Sequence, residues 1–134
     1  MSIEFLTVEE VESFHDDQLE RHGGLAGVRD RAGLESAVAT VQSTFGGQFL
    51  HGTVFEMAAA YAFHLSENQP FVDGNKRTAL NAAVVFLGLN GWDVDEPDEK
   101  LYAGMLGISS GTVSKADFAK ILEDLSRPYV DDDQ

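Results

Sequence analysis

The segment from Asn75 to Asn90 limits the fold more than any other part of the chain. Ala79, Leu80, Ala82, Ala83, Val84, Val85, Phe86, Leu87 and Leu89 make it apolar almost all round, and Asn90-Gly91 stop it. A surface helix has one apolar stripe; a helix like this one needs neighbours on every side. The flanking sequence supplies them. Thr7 with Glu10 reads as a capping box opening a helix that runs to Gly23-Gly24. Asp30 caps a second, with Leu34, Ala37, Val38 and Val41 on one stripe and Gly46-Gly47 as its end. Thr53 with Glu56 opens a third, whose apolar face is Val54, Met57, Ala58, Tyr61 and Leu65. Pro97 suits the first position of a fifth. Ser114 with Asp117 caps a sixth that buries Phe118, Ile121, Leu122 and Leu125, with Pro128 as its stop.

No segment alternates with period two for long. Gln48 to Gly52, between two glycine stops, reads as a loop or small hairpin. The expected architecture is all-α: one domain over residues 1–134, about six helices around the Asn75–Asn90 helix, with 126–134 as a flexible acidic tail.

Composition narrows the function. The 134 residues include 23 acidic and 9 basic ones, a formal net charge of −14. DNA and anionic lipid both need clustered Lys and Arg, so neither nucleic acid nor membrane is an expected partner. Either an electropositive protein partner or a salty cytoplasm would suit such acidity. Without cysteine, thiolate metal sites and cysteine nucleophiles are excluded. Met1 to Glu10 lack a basic and then apolar leader, and Ala82 to Leu89 falls far short of the ~20 residues of a membrane span, so the expected location is cytoplasmic.

The chemistry concentrates in Asn68-Gln69-Pro70-Phe71-Val72-Asp73-Gly74-Asn75-Lys76-Arg77-Thr78-Ala79-Leu80-Asn81. This is a polar turn leading into the start of the apolar helix. A helix start presents unpaired N–H groups and a partial positive charge, which suit phosphate. Gly74 permits close backbone approach, Lys76 and Arg77 add cations, and Asp73 is a hard oxygen ligand for a Mg²⁺ bridging phosphates. The combination suits a nucleoside triphosphate. The same Asp-Gly-Asn turn also reads as an ordinary loop in which Asp73 or Asn75 is only a cap.

The string from Gln69 to Arg77 resembles the Fic/Doc signature, His-Pro-Phe-x-Asp/Glu-Gly/Ala-Asn-Gly/Lys-Arg, at every specified position but the first. Gly23-Gly24-Leu25-Ala26-Gly27-Val28-Arg29-Asp30 and Asn90-Gly91-Trp92 extend the likeness, which covers about residues 5 to 126. The resemblance implies a role for each matching residue. Phe71 anchors the loop. Asp73 holds Mg²⁺. Gly74, Asn75 and Lys76 line an anion hole, and Arg77 pairs with nucleotide phosphates. The segment Phe45 to Gly52, with Gln48, Phe49, Leu50 and His51, becomes a flap that pairs with a target peptide. Lys76 and Asn81 match the Doc-type branch, which resembles kinases of a threonine of elongation factor Tu. The adenylylating branch carries Gly and Arg there. The resemblance thus implies a toxin using ATP and Mg²⁺. The chain lacks the family's inhibitory Ser/Thr-x-x-x-Glu-Gly/Asn string, which implies a separate antitoxin protein.

Gln69 stands where the family has the histidine that takes the target's proton. An amide hydrogen-bonds but does not titrate in water. Nucleotide binding is therefore expected, with transfer slow or absent; the alternatives are an adenylylating enzyme of the same family and a natural pseudoenzyme that binds nucleotide or antitoxin. The glutamine is either introduced or a natural loss. His64 lies five residues upstream on the preceding helix and reads as structural or surface, while His15 and His22 have no motif context. His51 is expected to face solvent or target.

Overall fold

The computed structural model describes residues 2–95 and 98–129. Six helices are present, α1 (Val8–His22), α2 (Arg31–Thr40), α3 (Val54–Asn68), α4 (Asn75–Leu89), α5 (Asp98–Ser110) and α6 (Lys115–Leu125). Two short antiparallel pairs accompany them. β1 (Thr44–Phe45) pairs with β2 (Gln48–Phe49), and β3 (Trp92–Val94) with β4 (Ser126–Pro128). The all-α class read from the sequence holds. No helix among the described residues is long and apolar enough to cross a membrane.

The caps form where hydroxyl and carboxylate spacing placed them. The Thr7 and Ser114 side chains accept from the amides of Glu10 and Asp117, and both boxes close reciprocally. At α3 only half the box forms: Thr53 accepts from the Glu56 amide, but the Glu56 carboxylate takes the Gly52 amide instead. Helix α2 ends at Thr40, not at Gly46-Gly47, and Val41 follows it as a fully buried cap. The two glycines, at φ 61° and 81°, make the turn between β1 and β2. Pro97 lies outside the described residues.

Burial is shared differently from the sequence reading. Helix α3 is the more enclosed, with nine of its 15 residues buried against six of 15 in α4. Ala58, Ala59, Ala60 and Ala62 let α2, α4, α5 and α6 approach it closely. On α4, Leu80, Val84 and Val85 are only partly covered and Leu89 is 42% exposed. Phe86, Leu65 and Val38 are buried, whereas Ile121 is half-buried at the rim. The Leu6 amide donates to the Tyr61 hydroxyl at 2.9 Å, fixing the N-terminal segment, and burial pushes that phenol up to about 12.

The segment 126–134 does not begin as a tail. Ser126, Arg127 and Pro128 pair with Val94, Asp93 and Trp92, and the Tyr129 amide donates to Gly91 O at 2.8 Å. Arg127 also lies 3.5 Å from the Asp93 carboxylate. Residues 130–134 fall outside the description.

Candidate functional site

The loop between α3 and α4 is built to hold a shape. Gln69 caps α3 in the left-handed region at φ 44° and is the one non-glycine with positive φ among the described residues. Such a conformation costs roughly 1–3 kcal/mol and persists where the surroundings fix it. Arg29 does so. Its Nε donates to Gln69 O at 3.1 Å, and its Nη2 donates to the same oxygen and to Asn68 O at 3.3 Å. A cation on the last carbonyls of α3 also opposes the helix dipole. The amides of Arg29 and Asp30 donate to Pro70 O at 2.7 and 3.0 Å, and Val72 N–H donates to Gly27 O at 3.0 Å. The Asn68 amide reaches Gly33 O at 3.0 Å.

Inside the loop, Asn75 folds back on Phe71: its Oδ1 accepts from Phe71 N–H and its Nδ2 donates to Phe71 O, both at 3.0 Å. Phe71 is 1% exposed, so its expected anchoring role has a physical basis. The Asn75 side chain therefore shapes the loop, leaving only its backbone amide for a ligand. Asp73 is exposed, and its carboxylate accepts from Gly74 N–H at 2.9 Å and Leu25 N–H at 3.2 Å. Gly24 permits this approach: at φ 121°, an added Cβ would sit 2.9 Å from Asp73 Oδ2. The pair Gly23-Gly24 thus both ends α1 and seats the carboxylate.

Helix α4 then starts from Gly74 with no side-chain cap; the Gly74 amide is taken by Asp73 Oδ1, so the amides left for an anion are those of Asn75, Lys76 and Arg77. That cavity, about 430 Å³, is lined by Gln69, Asp73, Gly74, Asn75, Lys76 and Arg77, together with His22, Gly23, Gly24, Ser66, Val72 and Tyr102. Six residues expected at the site converge there. Asn81 does not; it lines an adjoining 250 Å³ cavity that shares His22, Arg77 and Tyr102. The Arg77 guanidinium lies 4.9 Å from the centre of the Tyr102 ring, which steadies it between the two.

The flap stands apart. Gln48, Phe49 and Leu50 are exposed and do not line the Gln69 cavity. His51 does not face open solvent. It is half-buried beside Lys115, whose Nζ lies 3.5 Å from His51 Nε2 and 3.3 Å from His64 Nε2. Burial, then the Lys115 charge, lowers the His51 pKa and pushes His64 down to about 4. His64 is thus neutral, committed to Lys115 and off the Gln69 cavity, in keeping with a structural role. His51 and Lys115 line a separate cavity of about 430 Å³ at the start of α6.

Sequence reading missed several residues in or behind the site, among them His15, His22, Arg29 and Tyr102. His15 is 3% exposed, stacks on Phe71 with ring centres 3.9 Å apart, and its Nε2 lies 2.8 Å from Asp73 O. Its place four residues after buried Val11, on the inner stripe of α1, was the available signal. Tyr102 had none.

Asp73 fits a Mg²⁺ in donor type and exposure, but among the described residues no group of three or more His, Cys, Asp and Glu could cage a metal. Such an ion would complete its shell with water and the oxygens of a bound phosphate, which is how Mg²⁺ is commonly held.

A sequence profile of the Fic/DOC family matches residues 5–87. The chain is 33% identical over 120 residues to "Protein kinase doc" of Escherichia phage P1, covering 90% of this chain and 94% of that one. It is 41% identical over 83 residues to "Toxin Doc" of Mycolicibacterium smegmatis, covering 58% and 64%. With a family profile over residues 5–87 and a relative 33% identical along nearly its whole length, this chain belongs to the Fic/DOC family.

Proposed function

We propose that the chain is a Doc-type toxin with a separate antitoxin protein, a transferase that uses ATP and Mg²⁺ to phosphorylate a threonine of elongation factor Tu. Gln69 holds its chemistry back. The observation that carries this reading is the uncapped start of α4, with Asp73, Lys76 and Arg77 around one cavity and Gln69 at its edge. Backbone amides of Lys76 and Arg77, and both side-chain cations, would bind phosphate oxygens. Asp73, braced by two amides, would hold Mg²⁺, which when bound neutralises phosphate charge. The target hydroxyl oxygen would bond to the γ-phosphorus as the bond to the β,γ-bridging oxygen breaks, releasing ADP. The hydroxyl proton must go to a base. Gln69 cannot take it; of the four histidines only His22 lines the cavity, and it belongs to the end of α1, outside the motif loop.

Restoring the base tests the proposal. In Gln69→His the phosphate and metal groups are unchanged, so transfer should rise about 10²- to 10⁴-fold. The variant is incubated with elongation factor Tu and ATP labelled at the γ- or α-position. Transfer of γ-label, abolished by Asp73→Ala, supports the kinase. Transfer of α-label would place the chain with adenylylating enzymes and discard the Lys76/Asn81 argument. Gln69 itself favours one second reading, a pseudoenzyme that binds nucleotide or antitoxin; MgATP binding without transfer of either label by the histidine variant would support it.

A further inference from the structure

We propose that His15 is a positioning residue, one that fixes the direction of the Asp73–Gly74 peptide and with it the polarity of the anion site; the ligand in this inference rests on the nucleotide reading above. His15 belongs to α1, 58 residues before Asp73, and is not part of the loop it serves. A carbonyl oxygen only accepts, so the 2.8 Å contact with Asp73 O requires the hydrogen on His15 Nε2. In a trans peptide the C=O and the following N–H point in opposite directions. Holding Asp73 C=O against α1 therefore turns the Gly74 N–H the other way, where it donates to Asp73 Oδ1 at 2.9 Å.

The backbone does not enforce this by itself. Gly74 sits at φ 76°, ψ 19° as the start of α4, and glycine takes either sign of φ at little cost. Rotating the 73–74 peptide would put a carbonyl oxygen where an amide now points, beside amides that would bind an anion. It would also remove the Gly74 hydrogen bond from the Asp73 carboxylate. His15 selects against that rotation, and the parallel stack on Phe71, 7° between planes, keeps its Nε2 on line.

Two substitutions separate the hydrogen bond from the packing. His15→Phe keeps a ring over Phe71 but lacks the donor; His15→Gln keeps a donor at similar reach but loses the ring. With the unaltered residue at 69, calorimetry with MgATP and the ¹⁵N–¹H resonance of Gly74 are measured for each. His15→Phe should shift the Gly74 amide and weaken MgATP binding by about tenfold. His15→Gln should leave both near the parent although it melts at lower temperature. An unchanged Gly74 amide and affinity in His15→Phe would overturn the inference, as would equal losses in the two variants. If the parent binds no MgATP, the nucleotide reading fails, and the Gly74 resonance alone decides the role of His15. Should His15→Phe not fold, the ¹⁵N spectrum of the parent imidazole serves: a hydrogen on Nε2 supports the inference, and a bare Nε2 overturns it.

Discussion

The loop before α4 and the β1–β2 flap are both short, and both turn on glycines, yet they are built on opposite plans. In the loop, Phe71 is buried, and the carbonyls of Gln69, Pro70, Phe71 and Asp73 all have named donors. Those donors come from α1, the 23–30 segment and α4 itself. In the flap, two residues pair with two, Phe45 is 82% exposed and Leu50 60% exposed. Phe49 stands edge-on to Phe5, ring centres 5.4 Å apart, and fastens the hairpin to the N-terminal segment. Chemistry at a phosphate tolerates little displacement, and a loop cross-braced from several elements provides that. An edge hairpin with exposed backbone and apolar tips suits a surface that forms its last contacts with another chain. The difference predicts that substitutions in the loop act on stability and catalysis, and those at the exposed tip of the flap chiefly on the encounter.

Phe71→Ala should show the largest effect on stability. The ring is enclosed, and its removal also leaves His15 without its stack, so a loss of about 3–5 kcal/mol in denaturant unfolding is expected. A loss below ~1 kcal/mol would mean that the loop is not fastened to the core as its burial indicates.

Arg29→Ala should come next. Its guanidinium is exposed, which limits the stability loss to about 1 kcal/mol. Its larger consequence should be kinetic. Without it the left-handed conformation at residue 69 loses its clamp, so in the Gln69→His background kcat should fall while the KM for ATP stays. A rise in KM alone would place Arg29 at the nucleotide, not at residue 69.

Much of this was legible in the sequence, because it depends on local rules. Capping pairs, glycine stops and the apolar Asn75–Leu89 segment report on their own neighbourhoods. The motif residues from Gln69 to Arg77 are contiguous, and a turn feeding a helix start brings contiguous residues together without help from the fold. His15 and Arg29 reach that turn from 58 and 40 residues away, and periodicity carries no such information. The β3–β4 pair was hidden for another reason: three residues are too few to show alternation, and Pro128 reads as a stop until its partner Trp92 is known. The helix order also says little about which helix is enclosed. The sequence pointed to α4 because it is apolar almost all round, but α3 is the more covered, with four alanines fully enclosed by its neighbours.

A pH experiment extends the comparison to the foot of the flap. His64 in the folded chain has a pKa pushed down to about 4 from 6.5, chiefly by burial and then by Lys115. Between those values the unfolded chain binds the additional proton, so stability rises with pH across this window and falls as the pH drops through it. His64→Gln should flatten that slope in unfolding curves taken between pH 4 and 7. Amide exchange should also quicken first around His51 and the flap, not in the braced loop. Equal loosening of both at pH 5 would remove the distinction between the two regions.

The smallest effect on stability is expected from Phe45→Ser, and it is the sharpest test of the flap. Phe45 is mostly in solvent, so its removal should change unfolding free energy by no more than about 0.5 kcal/mol. Phe49→Ser is the control within the same hairpin: it breaks the edge contact with Phe5, through which the flap reaches Phe86, and should cost more, about 1 kcal/mol. In the Gln69→His background, both should bind MgATP as the parent does, because neither lines that cavity. Phe45→Ser should nevertheless lower transfer to a protein target several-fold, through KM for the protein and not through kcat. If Phe45→Ser leaves protein transfer untouched while Phe49→Ser reduces it, the exposed tip is not a recognition element. The flap would then matter only through its attachment to Phe5, and the contrast with the loop would be one of degree.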